Sequence, residues 1–151
     1  MLTTMNKEFF DTSEHDCLQL LYEFNEKYKL FDFIKPSMEK ASVDLIAAHN
    51  SRRFAVELKH RFMKLGKYET LFIEDYKLAQ LYLQWVLYKR EPLYINILHD
   101  AVVIFNLNKL KHKPKLVVKD IKSKGYETVQ KQERRFELSL EDAVIYTRDG
   151  N

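Results

Sequence analysis

The spacing of apolar positions changes along this chain, and each spacing predicts an element. From Thr12 onward Cys17, Leu20, Leu21, Phe24 and Tyr28 recur at intervals of three and four, which marks one face of a helix. The hydroxyls of Thr12 and Ser13, followed by Glu14 and Asp16, suit a helix start whose dipole favours acids. A helix from about Thr12 to Lys29 follows. Leu30 to Lys35 alternates and predicts a first strand, ended by Pro36. Val43 to Ala48 and Phe54 to Lys59 predict two further strands around the polar turn His49-Asn50-Ser51-Arg52. Thr70 to Arg90 is apolar around most of a helical circumference, with Lys77, Gln80 and Gln84 as its polar stripe. Such a helix is expected to be buried on more than one side, with Trp85 and its tyrosines in the core, or to support a dimer. Leu93 to Leu98 and Ala101 to Asn106 are β-branched runs joined at His99-Asp100, a hairpin spacing. The first of them suits a strand that returns to the sheet by a helical crossover.

The predicted fold class is therefore α/β. Its centre is a mixed β-sheet of about five strands flanked by helices, in the order α-β-β-β-α-β-β. Residues 1–107 form the expected core. From Asn108 to Lys124 the composition turns basic, with seven lysines and His112 against Asp120. This basic C-terminal stretch, 108–151, is expected to pack on the same domain. Its lysines suit either a nucleic-acid arm or a solvated edge strand protected against unwanted pairing. Arg134 to Leu140 and Asp142 to Tyr146 have the look of strand pieces.

Composition narrows the class. A chain of 151 residues is long enough for one domain with a substantial core, and 46% hydrophobic residues argue against disorder. No apolar run is long enough to span a bilayer, and Met1 to Asp11 is polar apart from Phe9-Phe10, unlike a signal peptide. Cys17 is the single cysteine, which excludes an intrachain disulfide and a cysteine-based zinc site. A cytoplasmic setting is expected. The net charge of +3 is only mildly basic, so a case for nucleic acid rests on where the charge sits.

Candidate chemistry concentrates in Ser42 to Arg61. Asp44 interrupts one predicted strand and Glu57 and Lys59 interrupt the next, thirteen residues beyond Asp44. Alternation puts Glu57 and Lys59 on one strand face, and pairing of the two strands would bring Asp44 towards Glu57. Converging carboxylates repel unless a hard cation lies between them, and oxygen ligation suits Mg²⁺ or Mn²⁺. The alternative is an edge hairpin with a solvated, charged outer face. The same acid-x-Lys tripeptide occurs at Asp75-Tyr76-Lys77 and Asp120-Ile121-Lys122. Only Glu57-Leu58-Lys59 follows an acid in a preceding apolar strand. Around it lie Arg52, Arg53, His60, Arg61, Lys64 and Lys67, placed either to hold phosphodiester backbone or simply as surface charge.

An acid at a strand end, a short turn and Glu-x-Lys in an apolar strand resembles the PD-(D/E)XK nuclease superfamily, of the restriction-endonuclease and Holliday-junction-resolvase kind. Asp44 and Glu57-Leu58-Lys59 carry the resemblance, and it extends in outline from Ser13 to Leu107. Val43 stands where the motif's proline would be. The resemblance implies a Mg²⁺- or Mn²⁺-dependent deoxyribonuclease. Asp44, Glu57, the Leu58 carbonyl and Glu14 would be ligands, Lys59 would assist the attacking water, and Lys77 or Gln80 would be presented from the following helix. DNA is the implied partner and a homodimer is compatible. The other reading is a nuclease-like module without catalysis that binds nucleic acid or protein.

Overall fold

In the computed structural model, residues 2–38, 43–122 and 130–148 are described, with side chains for 15–38, 43–120 and 132–148. Helix α1 runs Leu2–Tyr28, then come β1 (Phe33–Pro36), β2 (Leu45–His49) and β3 (Arg52–His60). Next are β4 (Thr70–Glu74), α2 (Asp75–Tyr88), β5 (Glu91–Ile97) and β6 (Ala101–Asn106). The chain closes with β7 (Lys115–Lys122), β8 (Gln130–Ser139), a 3-10 turn at Leu140–Asp142 and β9 (Val144–Thr147). Six strands form the central sheet in the order β1-β2-β3-β5-β6-β9, and β4-β8-β7 form a second sheet. The central sheet is mixed: β3 and β5 are parallel, and its other pairings are antiparallel. A parallel neighbour requires a crossover, which β4 and α2 provide.

Two apolar layers enclose this sheet. On one face Cys17, Leu21 and Phe24 of α1 meet Leu45, Phe54, Val56, Leu93 and Ile95. On the other, Leu78 and Leu81 of α2 and Leu71 and Ile73 of β4 meet Ala55, Tyr94, Val103 and Phe105. Covering both faces is what a sheet containing a parallel pair demands. In agreement, every residue from Pro92 to Leu98 is buried.

Three expectations are corrected. The first helix begins at Leu2, ten residues before Thr12; nothing between Leu2 and Thr12 breaks a helix, since neither Gly nor Pro occurs there. Thr70–Glu74 is a strand, because β8 brings it a partner register that runs from Thr70↔Ser139 to Glu74↔Arg135. Alternation there is strict, with Leu71 and Ile73 buried between half-buried neighbours. The outer side of α2 is not core: Tyr76, Leu83, Trp85, Val86, Leu87 and Tyr88 are all exposed. Its polar stripe points inward instead, Gln84 being buried and Lys77 half-buried. Among the described residues no helix is long and apolar enough to cross a membrane.

Candidate active site

The β2–β3 hairpin builds the site. Its turn is Asn50-Ser51, and Asn50 has φ +54°, a left-handed conformation that asparagine tolerates better than other non-glycine residues. The Asn50 N–H donates to Asp32 Oδ2 at 2.6 Å, tying the turn to the chain ahead of β1. From this end the ladder runs to Leu45↔Val56. One step further, Asp44 and Glu57 stand opposite each other.

There β2 stops while β3 continues beside β5 to His60↔Ile97. The open edge of β3 is capped by a side chain: the Leu58 N–H donates to Asp44 Oδ2 at 3.0 Å. A strand residue points its N–H and C=O to the same side, so the Leu58 carbonyl opens on that edge too. A cleft of about 390 Å³ lies here, lined by Asp44, Glu57, Leu58, Lys59, His60 and Lys77, together with Cys17, Leu18, Pro36 and Leu45.

Glu57 is only 7% exposed. Burial pushes its carboxyl up to about 7, the Asp44 carboxylate adds to the rise, and Lys77 opposes it. Lys77 Nζ lies 3.1 Å from Glu57 Oε1 and 3.9 Å from Glu74 Oε2. Burial pulls the Lys77 ammonium down, but the neighbouring carboxylates outweigh it and hold it above its ordinary value. Lys77 therefore stays charged. His60 is lowered by burial first, then by Arg148 and His99, and its Nδ1 is buried without a partner. The Cys17 thiol is pushed up to about 11, chiefly by burial and then by Asp44. A neutral thiol of this kind is a poor nucleophile.

The sequence-derived candidates separate into two groups. Asp44, Glu57, Leu58, Lys59, His60 and Lys77 share the cleft, and Gln80 lies half-buried one turn along α2 from Lys77. Arg52 and Arg53 lie at the turn end of the hairpin. Arg52 pairs with Glu91 through two bonds of 2.6 and 2.8 Å, and Arg53 donates to the Tyr88 carbonyl at 2.6 Å, at the end of α2. Arg61 points along the second apolar layer and donates to Asn96 Oδ1, the Phe72 carbonyl and the Tyr94 hydroxyl. Lys64 is exposed in the loop after β3. Glu14 is in α1, and its side chain lies outside the described residues. Glu74, the last residue of β4, carries no local signal in the sequence, because the apolar spacing from Thr70 onward predicts helix there.

Among the described residues no three His, Cys, Asp or Glu side chains cluster as metal ligands do. The donors present nevertheless fit a hard divalent cation. Burial first, and then the neighbouring Asp44 carboxylate, raise Glu57 towards neutrality, and a backbone carbonyl shares the edge of these two oxygen donors.

No family model matches the sequence, and no curated protein sequence matches it either. The comparison that decides the fold is with a solved structure, Hjc of Archaeoglobus fulgidus, a Holliday junction resolvase from an archaeal hyperthermophile. The TM-score is 0.52 at 13% identity, over 82% of this chain and 84% of that one. The chain has a restriction-endonuclease-like fold. The cleft described here sits where β2 ends beside the central parallel pair, with Cys17 and Leu18 of α1 and Lys77 of α2 in its lining.

Proposed function

We propose that the protein is a metal-dependent nuclease that hydrolyses DNA phosphodiester bonds, with Asp44, Glu57 and Lys59 at its centre. The observation that carries this reading is the convergence of a buried Glu57 and Asp44 across the end of one hairpin, with lysines in the same cleft. Asp44, Glu57 and the Leu58 carbonyl would hold Mg²⁺ or Mn²⁺, and Glu14 is a further ligand candidate from α1. When bound, such a cation lowers the pKa of a coordinated water and offsets charge on the phosphate. The Leu58 N–H orients Asp44, and Lys77 favours the ionised form of Glu57. Lys59 orients the attacking water or steadies the charge that develops on the phosphate oxygens. Water adds to phosphorus, one P–O ester bond breaks, and the leaving oxygen takes up a proton. His60, Lys64 and Gln80 are proposed to contact the strand near the cut.

One protein of known structure that shares the fold is by name a Holliday junction resolvase, which makes branched DNA the first substrate to try. A homodimer fits the same reading, since the exposed apolar face of α2 offers a surface for a second copy.

The test is cleavage of four-way-junction, duplex, circular and single-stranded DNA with Mg²⁺ or Mn²⁺, beside Lys59→Ala. Metal-dependent cutting that disappears in the variant supports the proposal. DNA binding without cutting would favour the second reading, a nuclease-like module without catalysis. One observation favours that module: Lys77 already satisfies Glu57 at 3.1 Å.

A further inference from the structure

A second cleft, of about 270 Å³, lies between the loop that follows β3 and the sheet of β4, β8 and β7, with Arg61, Tyr68, Phe72, Lys119, Arg135 and Glu137 in its lining. Two guanidinium groups stack on the Phe72 ring, Arg61 at 4.5 Å and Arg135 at 4.0 Å from its centroid. Among the described residues, Arg61 is bonded only to neutral acceptors, Asn96 Oδ1, the Phe72 carbonyl and the Tyr94 hydroxyl. Arg135 donates through Nε to Glu133 Oε1 at 2.6 Å. Among the described residues, its two Nη groups make no hydrogen bond.

Like charges on one ring, partly withdrawn from water, repel each other, and an anion beside them relieves that repulsion. Stacking also fixes the plane of a guanidinium and leaves its edge ready for a phosphate, which it can meet through two parallel bonds. Lys119 adds a third positive charge to the lining, against Glu137 in the lining and Glu133, which is ion-paired with Arg135 and stands opposite Lys119 in the β7–β8 register. The cleft is somewhat smaller than pockets for whole small molecules, which start at about 300 Å³. It suits one segment of an extended ligand.

Its position says which segment. Glu57, Lys59 and Arg61 alternate onto one face of β3 and its continuation. Four residues at about 3.3 Å put Arg61 about 13 Å from Glu57, within reach of one strand a few nucleotides from the carboxylates. We propose that this cleft binds a backbone phosphate of the strand being cut, a few nucleotides from the scissile bond. Arg135 is its fork and Lys119 its second charge. The inference rests on the nuclease reading above and names a binding site separate from the carboxylates.

The experiment is fluorescence anisotropy with labelled junction and duplex DNA over a KCl series, in Ca²⁺ without Mg²⁺. It compares wild type, Arg135→Lys, Lys119→Gln and the charge-matched control Lys109→Gln, which lies beside Glu91 near the far end of β3. Lys119→Gln should flatten the plot of log affinity against log salt by about 0.9, one lost phosphate contact. Arg135→Lys should weaken binding about tenfold with the slope kept, because it loses the fork but not the charge. The control should match wild type. If wild type binds while both cleft variants equal it in affinity and slope, the cleft proposal falls and the nuclease reading stands. An equal loss in Lys109→Gln means diffuse attraction and also overturns the cleft. If wild type binds no DNA, both proposals fall together. Should Arg135→Lys not fold, the exposed Lys119→Gln decides alone.

Discussion

Glu57 is the residue on which the site's chemistry and the protein's stability meet. Its carboxyl titrates near 4.5 when unfolded and near 7 in the fold, raised first by burial and then by Asp44. Between those values the native state holds a proton that the unfolded chain has lost, so stability falls as pH rises and levels off above about 7. The cost to the metal-free protein is on the order of 3 kcal/mol across that window. Glu57→Gln, which keeps the shape without the charge, should lose this dependence; urea unfolding from pH 4.5 to 8 reads it directly. A divalent cation needs the ionised carboxylate, so its affinity should rise with pH over the same range. Lys77→Met removes the group that favours ionisation of Glu57. It should move the midpoint of the affinity rise to higher pH, as metal titrations at pH 6, 7 and 8 would reveal.

At the scale of elements, the β2–β3 hairpin sets the site. Its register, Leu45↔Val56 through His49↔Arg52, leaves Asp44 opposite Glu57 just beyond the last bonded pair. A slip of one residue would turn Glu57 to the other face of the sheet. The turn residue Asn50 keeps φ +54°, so Asn50→Val should cost about 1–2 kcal/mol, while Asn50→Gly should cost little. Thermal melts of the two variants test this. Behind the hairpin, α2 is anchored by Leu78 and Leu81, the latter fully buried. Leu81→Ala should destabilise by about 2–5 kcal/mol. Because the same helix presents Lys77, that variant should also lower whatever cleavage the wild type has, even at temperatures where it remains folded. An activity undiminished in a folded Leu81→Ala protein would show that α2 does not position the site.

For the whole molecule, two bulk measurements follow. If the cleft takes a cation, Mn²⁺ at a hundred times its Kd should stabilise the fold by about 2.7 kcal/mol. Glu57→Ala should abolish the shift in melting temperature. If the exposed face of α2 pairs two copies, light scattering should give twice the chain mass of 18.2 kDa, and Leu83→Glu with Leu87→Glu should halve it. Both leucines are more than half exposed, so the substitutions should leave the monomer folded.

Local patterns in the sequence were enough for five strands of the central sheet and for bringing Asp44, Glu57 and Lys59 towards one another. The sixth strand, β9, joins from the stretch expected to be an extension. Alternation is a property of a few neighbouring residues, and it placed Glu57 and Lys59 on one face and set Asp44 towards them. The parallel return of β5 was likewise legible, since a long helix before an apolar run leaves few topologies. What required tertiary structure depended on partners distant in the chain. Thr70–Glu74 is a strand only because β8, more than fifty residues later, supplies its hydrogen bonds. The direction of α2 was ambiguous, because a helix apolar nearly all round has no single inward face. Packing turned Lys77 onto Glu57 and left Leu83, Val86 and Leu87 in water. The inward turn of Arg61 onto Phe72 and Asn96 is of the same kind. A cation's partner is chosen by the fold's geometry, and a sequence records only that the cation is there.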